Sequence, residues 1–153
     1  MSGATLTTVF QATSAASGNH YVTSTDVGGF QFGYNGSTWV GGFAGATFTI
    51  NSITTDTNWH HVVIVFDGTQ TGNANRVKVR LDGVETTLTF SGSANSLTSS
   101  SAGYFFGGST GTSSNNTSSY FQGYMGETLI WTRALNVAEQ LAVETYLANK
   151  WAI

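Results

Sequence analysis

The stretch that decides the fold is WHHVVIVFDG, residues 59–68. It begins with an aromatic residue, continues as a run of β-branched and aromatic side chains, and ends in the turn-forming pair Asp-Gly. The stretch RVKVRL, residues 76–81, then alternates charged and apolar side chains, which indicates a strand with one face in a core and the other in water. Together the two stretches predict adjacent strands at the centre of a β-sandwich.

A β-hairpin is predicted directly after these strands. Asp82-Gly83 separates residues 76–81 from VETTLTF, residues 84–90. A two-residue Asp-Gly loop favours a hairpin because glycine accepts the positive φ that a type I′ turn requires. We therefore expect one returning strand over residues 84–90.

The remaining elements follow from short β-forming runs and one capping pattern. Turn-forming residues bound four further predicted strands at residues 4–10, 29–34, 38–43 and 46–51. Low-complexity stretches at residues 91–102 and 107–119 predict surface loops. Asn136 and Glu139 have the spacing of a capping box, which predicts a helix from Val137 to about residue 149 whose apolar side chains dock on the sandwich. The predicted fold class is all-β: an antiparallel β-sandwich with one short C-terminal α-helix, in a single domain over residues 1–153.

Composition excludes several classes of function. Only 8% of the residues are charged and the formal net charge is −3, so no basic surface is expected for nucleic acid. The chain has no cysteine, and therefore neither a disulfide framework nor a cysteine-based metal site. No apolar run is long enough to insert into a membrane, and the N-terminal residues lack the pattern of a signal peptide.

Three blocks of the sequence resemble one family. They are residues 59–68, the hairpin at residues 77–83, and FQGYMGETLIWTRAL at residues 121–135, just before the helix. In this order they resemble the laminin-G-like branch of the concanavalin A-like lectin/glucanase jelly-roll superfamily, of the type found in phage and bacterial surface proteins. The resemblance implies a jelly roll that usually has one or two strands before the region of residues 4–10. Either an edge strand is then left open to a partner, or a shortened sandwich covers its own edge.

Catalytic residues are not predicted. Glycoside hydrolases of this superfamily place two carboxylates on one strand, about 5 Å apart across the sugar bond. The acidic residues of this chain are scattered, and Glu127 is alone in a strand predicted within residues 121–135. A structural role is expected for Glu127, with a general acid as the alternative. We therefore predict a protein that is not an enzyme, with glycoside hydrolase or lyase activity as a remote alternative.

Metal ligands are not predicted either. His60 and His61 are adjacent in a strand, so their side chains point to opposite faces and cannot chelate one ion; we expect structural roles, with one ring inside and the other outside. No cofactor is predicted, but calcium stays open because laminin-G-like relatives often hold one ion at the rim. Asp26, Asp56 and Asp67 lie at predicted loop ends, where roles in turns are the alternative to calcium binding.

Aromatic and amide side chains provide candidate glycan ligands. Lectin sites stack an aromatic ring on a sugar and use amides for its hydroxyl groups. The candidates in or beside predicted loops are Tyr34, Asn35, Trp39, Tyr104, Asn115, Asn116 and Tyr120. For Trp39 and Tyr104 a place in the core is the alternative, and Trp59 and Trp131 are expected in the core.

Three functions are consistent with this sequence. The first is a noncatalytic virion-surface module, a capsid decoration or tail-associated protein that binds neighbouring capsid or tail subunits and forms homo-oligomers, with adhesion to glycans as an additional role. The second is a carbohydrate-binding, lectin-like domain of a secreted bacterial protein, located outside the cell or on its surface. The third is the glycoside hydrolase.

Overall fold

The computed structural model describes residues 2–13, 18–25, 30–43, 45–54, 56–95, 104–108 and 120–153. The elements in chain order are β1 (Gly3–Ala12), β2 (Asn19–Thr25), β3 (Phe30–Asn35), β4 (Thr38–Phe43), β5 (Ala46–Thr54), β6 (Trp59–Asp67), α1 (Asn73–Arg76), β7 (Val77–Leu81), β8 (Val84–Glu85), β9 (Leu88–Gly92), β10 (Tyr104–Phe106), β11 (Gly123–Trp131) and α2 (Val137–Trp151). The strands form a five-stranded sheet in the order β11-β1-β6-β7-β8 and a six-stranded sheet in the order β10-β2-β3-β4-β5-β9. All pairings between these strands are antiparallel. The predicted antiparallel sandwich with a C-terminal helix is confirmed.

The core lies between the two sheets and is rich in aromatic rings. Trp39 of β4 is stacked on Phe32 of β3, with 5.7 Å between ring centroids, and meets the ring of Phe10 from β1 at 5.1 Å. All three side chains are fully buried. Since each sheet contributes rings to this cluster, burial of these side chains holds the two layers together.

Strand β6 is buried on both faces, which explains its nearly unbroken apolar sequence. Val62, Ile64 and Phe66 belong to the core between the sheets, while Val63 and Val65 on the opposite face are also buried. Helix α2 packs against β6. Its capping box is formed as predicted, because Asn136 Oδ1 accepts from Glu139 N at 3.0 Å and Glu139 Oε2 accepts from Asn136 N at 2.9 Å. None of the helices among these described residues is both long and apolar enough to cross a membrane.

The predicted strand over residues 84–90 is two strands in different sheets. Asp82 and Gly83 both have positive φ, 50° and 78°, so the predicted turn is present. The short β8 pairs with β7, but Thr86 then donates both its N–H and its hydroxyl group to the carbonyl oxygen of Val79. Beyond Thr86 the chain crosses to the six-stranded sheet, where β9 pairs with β5.

Other sequence expectations also need correction. The sequence left open which strand forms an edge: in the structure β1 lies between β11 and β6, and the edges of this sheet are β11 and β8. Trp59 and Trp131 are only half-buried, and Trp59 is stacked on Trp151 of the helix, 5.9 Å between centroids, rather than placed between the sheets. Strand β2 and helix α1 were not predicted, since neither has a clear apolar period.

Candidate functional site

Two of the predicted glycan ligands are core residues. Tyr34 and Trp39 are both 0% exposed. The core face of β3 holds Phe32 and Tyr34, so Tyr34 joins the aromatic cluster and meets Trp39 edge to face at 5.8 Å. Neither ring presents a face to solvent, which corrects their assignment as sugar platforms.

The other predicted ligands are dispersed or lie outside the described residues. Asn35 is exposed at the end of β3, and Tyr120 is 55% exposed in a bridge to Tyr21. The backbone of Tyr104 belongs to β10, but its side chain is outside the described part of the structure, as are Asn115 and Asn116. The structure therefore leaves Asn35 and Tyr120 as accessible members of the predicted set.

A cleft of about 280 Å³ lies instead on the outer face of the six-stranded sheet. We call it the outer cleft, and it is lined by Tyr21, Gln31, Val40, Gly41, Thr47, Phe48, Thr49, Thr89, Phe90 and Ser91. In β5 the core residues Phe48 and Ile50 alternate with Thr47 and Thr49, so the same period that builds the core turns the threonine side chains outward. The cleft thus follows from strand alternation.

The strand register brings the lining of the outer cleft together. Val40 pairs with Thr49, and Thr49 pairs with Thr89, so three strands contribute to one row. Gly33 extends the row, because it pairs with Val40 on one side and with Tyr21 on the other. A Cβ atom at Gly33 would collide with the carbonyl of His20, so glycine lets β2 and β3 approach closely. Since Gly33 has no side chain, the sheet surface beside Tyr21 is open.

The lining of the outer cleft has the chemistry of a polyol site. Hydroxyl and amide groups both donate and accept hydrogen bonds, as do the hydroxyl groups of a sugar. Tyr21 adds an aromatic ring that is partly exposed, and such a ring can pack on an apolar sugar face. Sequence reasoning missed Tyr21, Gln31 and Thr49 because it looked in loops, whereas these residues occupy outward positions within strands.

A second group of polar residues surrounds the two adjacent histidines. His60 contacts the rings of Phe10 and Trp39 in the core. His60 Nε2 lies 2.8 Å from Asp56 Oδ1 and its Nδ1 lies 2.7 Å from Asp82 Oδ2. Burial lowers the pKa of His60, but the hydrogen bonds to Asp82 and Asp56 outweigh it, so the pKa is raised from its ordinary value. A carboxylate at each ring nitrogen favours the charged form of His60, because both nitrogens donate only in the imidazolium.

The side chain of His61 lies on the opposite face of β6 from that of His60, as expected for adjacent strand residues, but its ring is also buried. It lines a cleft of about 610 Å³ under α2, which also includes Asp82, Leu141 and Glu144. Neither ring nitrogen has a hydrogen-bond partner among the described residues, and burial lowers its pKa. The expectation of one ring outside the protein is therefore wrong, because α2 covers this face.

The two histidines predict a stability maximum near pH 6.5. His60 has a raised pKa in the folded state, so its contribution is complete below about pH 6.5 and is lost as the pH rises through the folded value. His61 has a lowered pKa, so stability falls as the pH drops below about 6.5. Urea denaturation between about pH 5 and 9 measures both slopes. We expect His60→Gln to remove the decline on the alkaline side and His61→Gln the decline on the acid side; equal slopes in both variants and the parent would contradict this account.

The candidate calcium ligands are engaged in local turns. Asp56 Oδ1 accepts from Asn58 N at 2.7 Å, and Asp67 Oδ1 accepts from Thr69 N at 3.0 Å. The bond from Asn58 N lowers the pKa of Asp56, and the bonds from the Thr69 hydroxyl group and from Thr69 N lower the pKa of Asp67. Asp26 lies outside the described residues. Within the described ranges, no three His, Asp or Glu side chains are grouped so that they could hold a metal ion.

Glu127 is placed to anchor the helix. Its carboxylate lies 3.0 Å from Lys150 Nζ and accepts from the Tyr146 hydroxyl group at 3.0 Å. The hydrogen bond from Lys150 is the main reason that its pKa is lowered. These contacts give Glu127 a structural role that joins β11 to α2.

Solved structures share this fold. A heptameric SAP-like pentraxin from Limulus polyphemus is 14% identical with a TM-score of 0.67, covering 94% of this chain and 70% of the pentraxin. A putative carbohydrate binding protein from Bacteroides ovatus is 12% identical with a TM-score of 0.66, covering 95% of this chain and 40% of that one. The CBM40 of the Ruminococcus gnavus IT-sialidase, solved with α2,3-sialyllactose, is 13% identical with a TM-score of 0.64, and the match covers 94% of this chain and 83% of the CBM40 chain. At these identities the likeness shows the fold alone.

Sequence comparison identifies the family. No curated protein matches the chain. A family model described as the concanavalin A-like lectin/glucanases superfamily matches residues 2–139, most of the sandwich. The resemblance seen in the three sequence blocks is thereby confirmed, and the chain belongs to the concanavalin A-like lectin/glucanases superfamily.

Proposed function

We propose that this protein is a noncatalytic carbohydrate-binding domain that holds glycans in the outer cleft. The observation that carries the proposal is the partly exposed ring of Tyr21 beside a row of hydroxyl and amide side chains on a sheet face. Such a surface offers both the stacking and the hydrogen bonding that a sugar uses. The whole chain is proposed to act as one such domain, over residues 1–153.

Two further findings support a binding role. The structural relatives include a putative carbohydrate binding protein and a module solved with a bound sialyllactose. Glu127, the acidic residue that stood alone in its predicted strand, is held in an ion pair with Lys150 that favours its charged form. Binding without turnover is the activity that fits both.

The first test is the loss of a tyrosine ring. Tyr21→Ala is expected to weaken binding of a glycan selected on a glycan array by about fivefold or more, because an aromatic contact contributes roughly 1 kcal/mol. Isothermal titration calorimetry measures the dissociation constants. Tyr124→Ala is the matched control, since Tyr124 is 61% exposed on β11 of the other sheet. If both substitutions weakened binding equally, or if neither weakened it, the binding site would lie outside the outer cleft.

A role in assembly is the second candidate. Strand β11 lies at the edge of the five-stranded sheet and bears the exposed side chains of Tyr124 and Ile130. Edge strands pair readily with strands of other chains. This edge supports pairing with another chain. Within this candidate we propose a surface protein that forms homo-oligomers or binds capsid or tail subunits, at the virion surface or, alternatively, at the cell surface or outside the cell.

Light scattering over a range of protein concentrations tests the assembly role. A stable oligomer that Ile130→Lys reduces to the monomer is the expected result, because a charge at the edge opposes strand pairing. A monomer at every concentration would argue against self-assembly and leave glycan binding as the single candidate.

A further inference from the structure

Charge is distributed very unevenly between the two sheets. The five basic residues of the chain are Arg76, Lys78, Arg80, Arg133 and Lys150. By contrast, the six strands of the six-stranded sheet contain no Asp, Glu, Lys or Arg. The segments outside the described residues add a single charged side chain, Asp26, which is acidic. No part of the chain that could border the outer cleft from those segments supplies a cation.

Each basic side chain also has a partner away from the outer cleft. Four of them form ion pairs: Lys78 with Glu85, Arg80 with Glu144, Arg133 with Glu139, and Lys150 with Glu127. Two of the basic residues come near the six-stranded sheet. Lys78 lines a small cleft with Leu88 and Phe90 of β9, and Arg76 donates to the carbonyl of Ala94 just after β9. Its Nε also donates to the carbonyl of Gln70 at 2.7 Å, so its guanidinium group is bound to main-chain oxygens beside α1.

The outer cleft is therefore lined by neutral groups. A carboxylate or sulfate that entered it would leave water without meeting a cation, and the desolvation of an unpaired charge is costly. Uncharged hydroxyl and acetamido groups find donors and acceptors in Gln31, Thr49 and Thr89. The lining thus favours a neutral ligand over an anionic one.

The row in the outer cleft is long as well as neutral. It runs from Tyr21 through Gly33, Val40 and Thr49 to Thr89, one residue from each of five adjacent strands. Four strand spacings of about 4.8 Å give a row of roughly 19 Å. That length accommodates several sugar rings in a line.

We propose that the ligand of the outer cleft is an uncharged oligosaccharide, and that sialylated, uronate-containing and sulfated glycans are excluded. This inference rests on the proposed function, because it names the class of glycan that the same cleft takes. The expected recognition uses Tyr21 for stacking at one end and the threonine hydroxyl groups along the row. Salt has little effect on such binding, because no ion pair is formed.

The test is calorimetry with matched neutral and anionic probes. The neutral panel contains gluco-, manno-, galacto- and N-acetylglucosamine oligosaccharides; the anionic panel contains sialyllactose, an oligogalacturonate and a heparin oligosaccharide. We expect at least one neutral probe to bind. Each anionic probe is expected to have a dissociation constant at least about tenfold higher than that of the neutral probe. We also expect the affinity of the neutral probe to be the same at low and at high salt.

A charge-introducing variant makes the test sharper. Thr49→Lys is expected to weaken the neutral probe and to give measurable binding of the anionic probes. Val137→Lys, at a position of α2 that is 62% exposed, is expected to change neither. An anionic probe that binds the parent protein better than every neutral probe overturns the inference and leaves the proposed function standing. A folded protein that binds no probe of either panel overturns the proposed function, and the inference with it.

Discussion

Replacing Trp39 with alanine is expected to lower the free energy of unfolding by about 3 to 5 kcal/mol. The indole ring is 0% exposed and lies between Phe32 and Phe10, at the point where the two sheets meet. Its removal leaves a large cavity that the surrounding β-structure cannot close. Urea denaturation followed by circular dichroism measures the loss.

Two further tryptophan variants separate core packing from other effects. Trp131→Ala is expected to cost less, because Trp131 is half-buried in β11. Trp39→Phe is also expected to cost less than alanine, since it keeps a ring and removes an indole N–H that has no partner among the described residues. A Trp39→Ala protein with parental stability, or with no greater loss than Trp131→Ala, would show that the ring is not at the centre of the core.

The second large effect is expected at the ion pair that attaches helix α2 to the sheet. Arg80 Nε donates to Glu144 Oε1 at 2.8 Å, and the side chains are only 13% and 6% exposed. Glu144→Ala leaves the guanidinium group largely buried without its carboxylate, so the free energy of unfolding is expected to fall by about 3 to 5 kcal/mol. The same denaturation measurement checks this value.

The control is the exposed pair on the same strand. Lys78 Nζ lies 3.0 Å from Glu85 Oε1, with side chains 47% and 52% exposed. Glu85→Ala is expected to cost about 1 kcal/mol or less, because water screens a surface pair. If Glu144→Ala and Glu85→Ala had equal effects, the helix would not depend on its buried ion pair.

Much of the fold was predictable because local patterns determine it. The apolar run of β6, the alternation of β7, the positive-φ turn at Asp82-Gly83 and the capping box at Asn136 all depend on residues near each other in the chain. Each of these features is present in the structure. Local pattern therefore predicts these elements and the all-β class, although β2, α1 and β10 have no such pattern.

Features that depend on distant contacts were not predictable. The strand over residues 84–90 divides because Thr86 bonds to Val79 and β9 finds β5 in the other sheet. His61 appeared to face solvent because the sequence does not show which sheet face α2 covers. Similarly, β1 proved to be an interior strand only because β11, which lies far along the chain, pairs with it.

The candidate site was the least predictable part. Aromatic rings near turns make Tyr34 and Trp39 candidates for sugar stacking, but strand alternation places both on the core face. The outer cleft depends instead on register: Val40 meets Thr49, and Thr49 meets Thr89, only when three strands align. A sequence shows which residues alternate along a strand, but it does not show which strands are neighbours.

The most direct test of glycan binding in the outer cleft is a map of the contact by NMR. A neutral oligosaccharide that binds in calorimetry is titrated into labelled protein, and backbone amide shifts are followed. We predict that the largest shifts occur at Tyr21, Gln31, Thr49 and Thr89. Shifts confined to the helix side of the molecule, around Leu141 and Glu144, would contradict the account and place the ligand under α2.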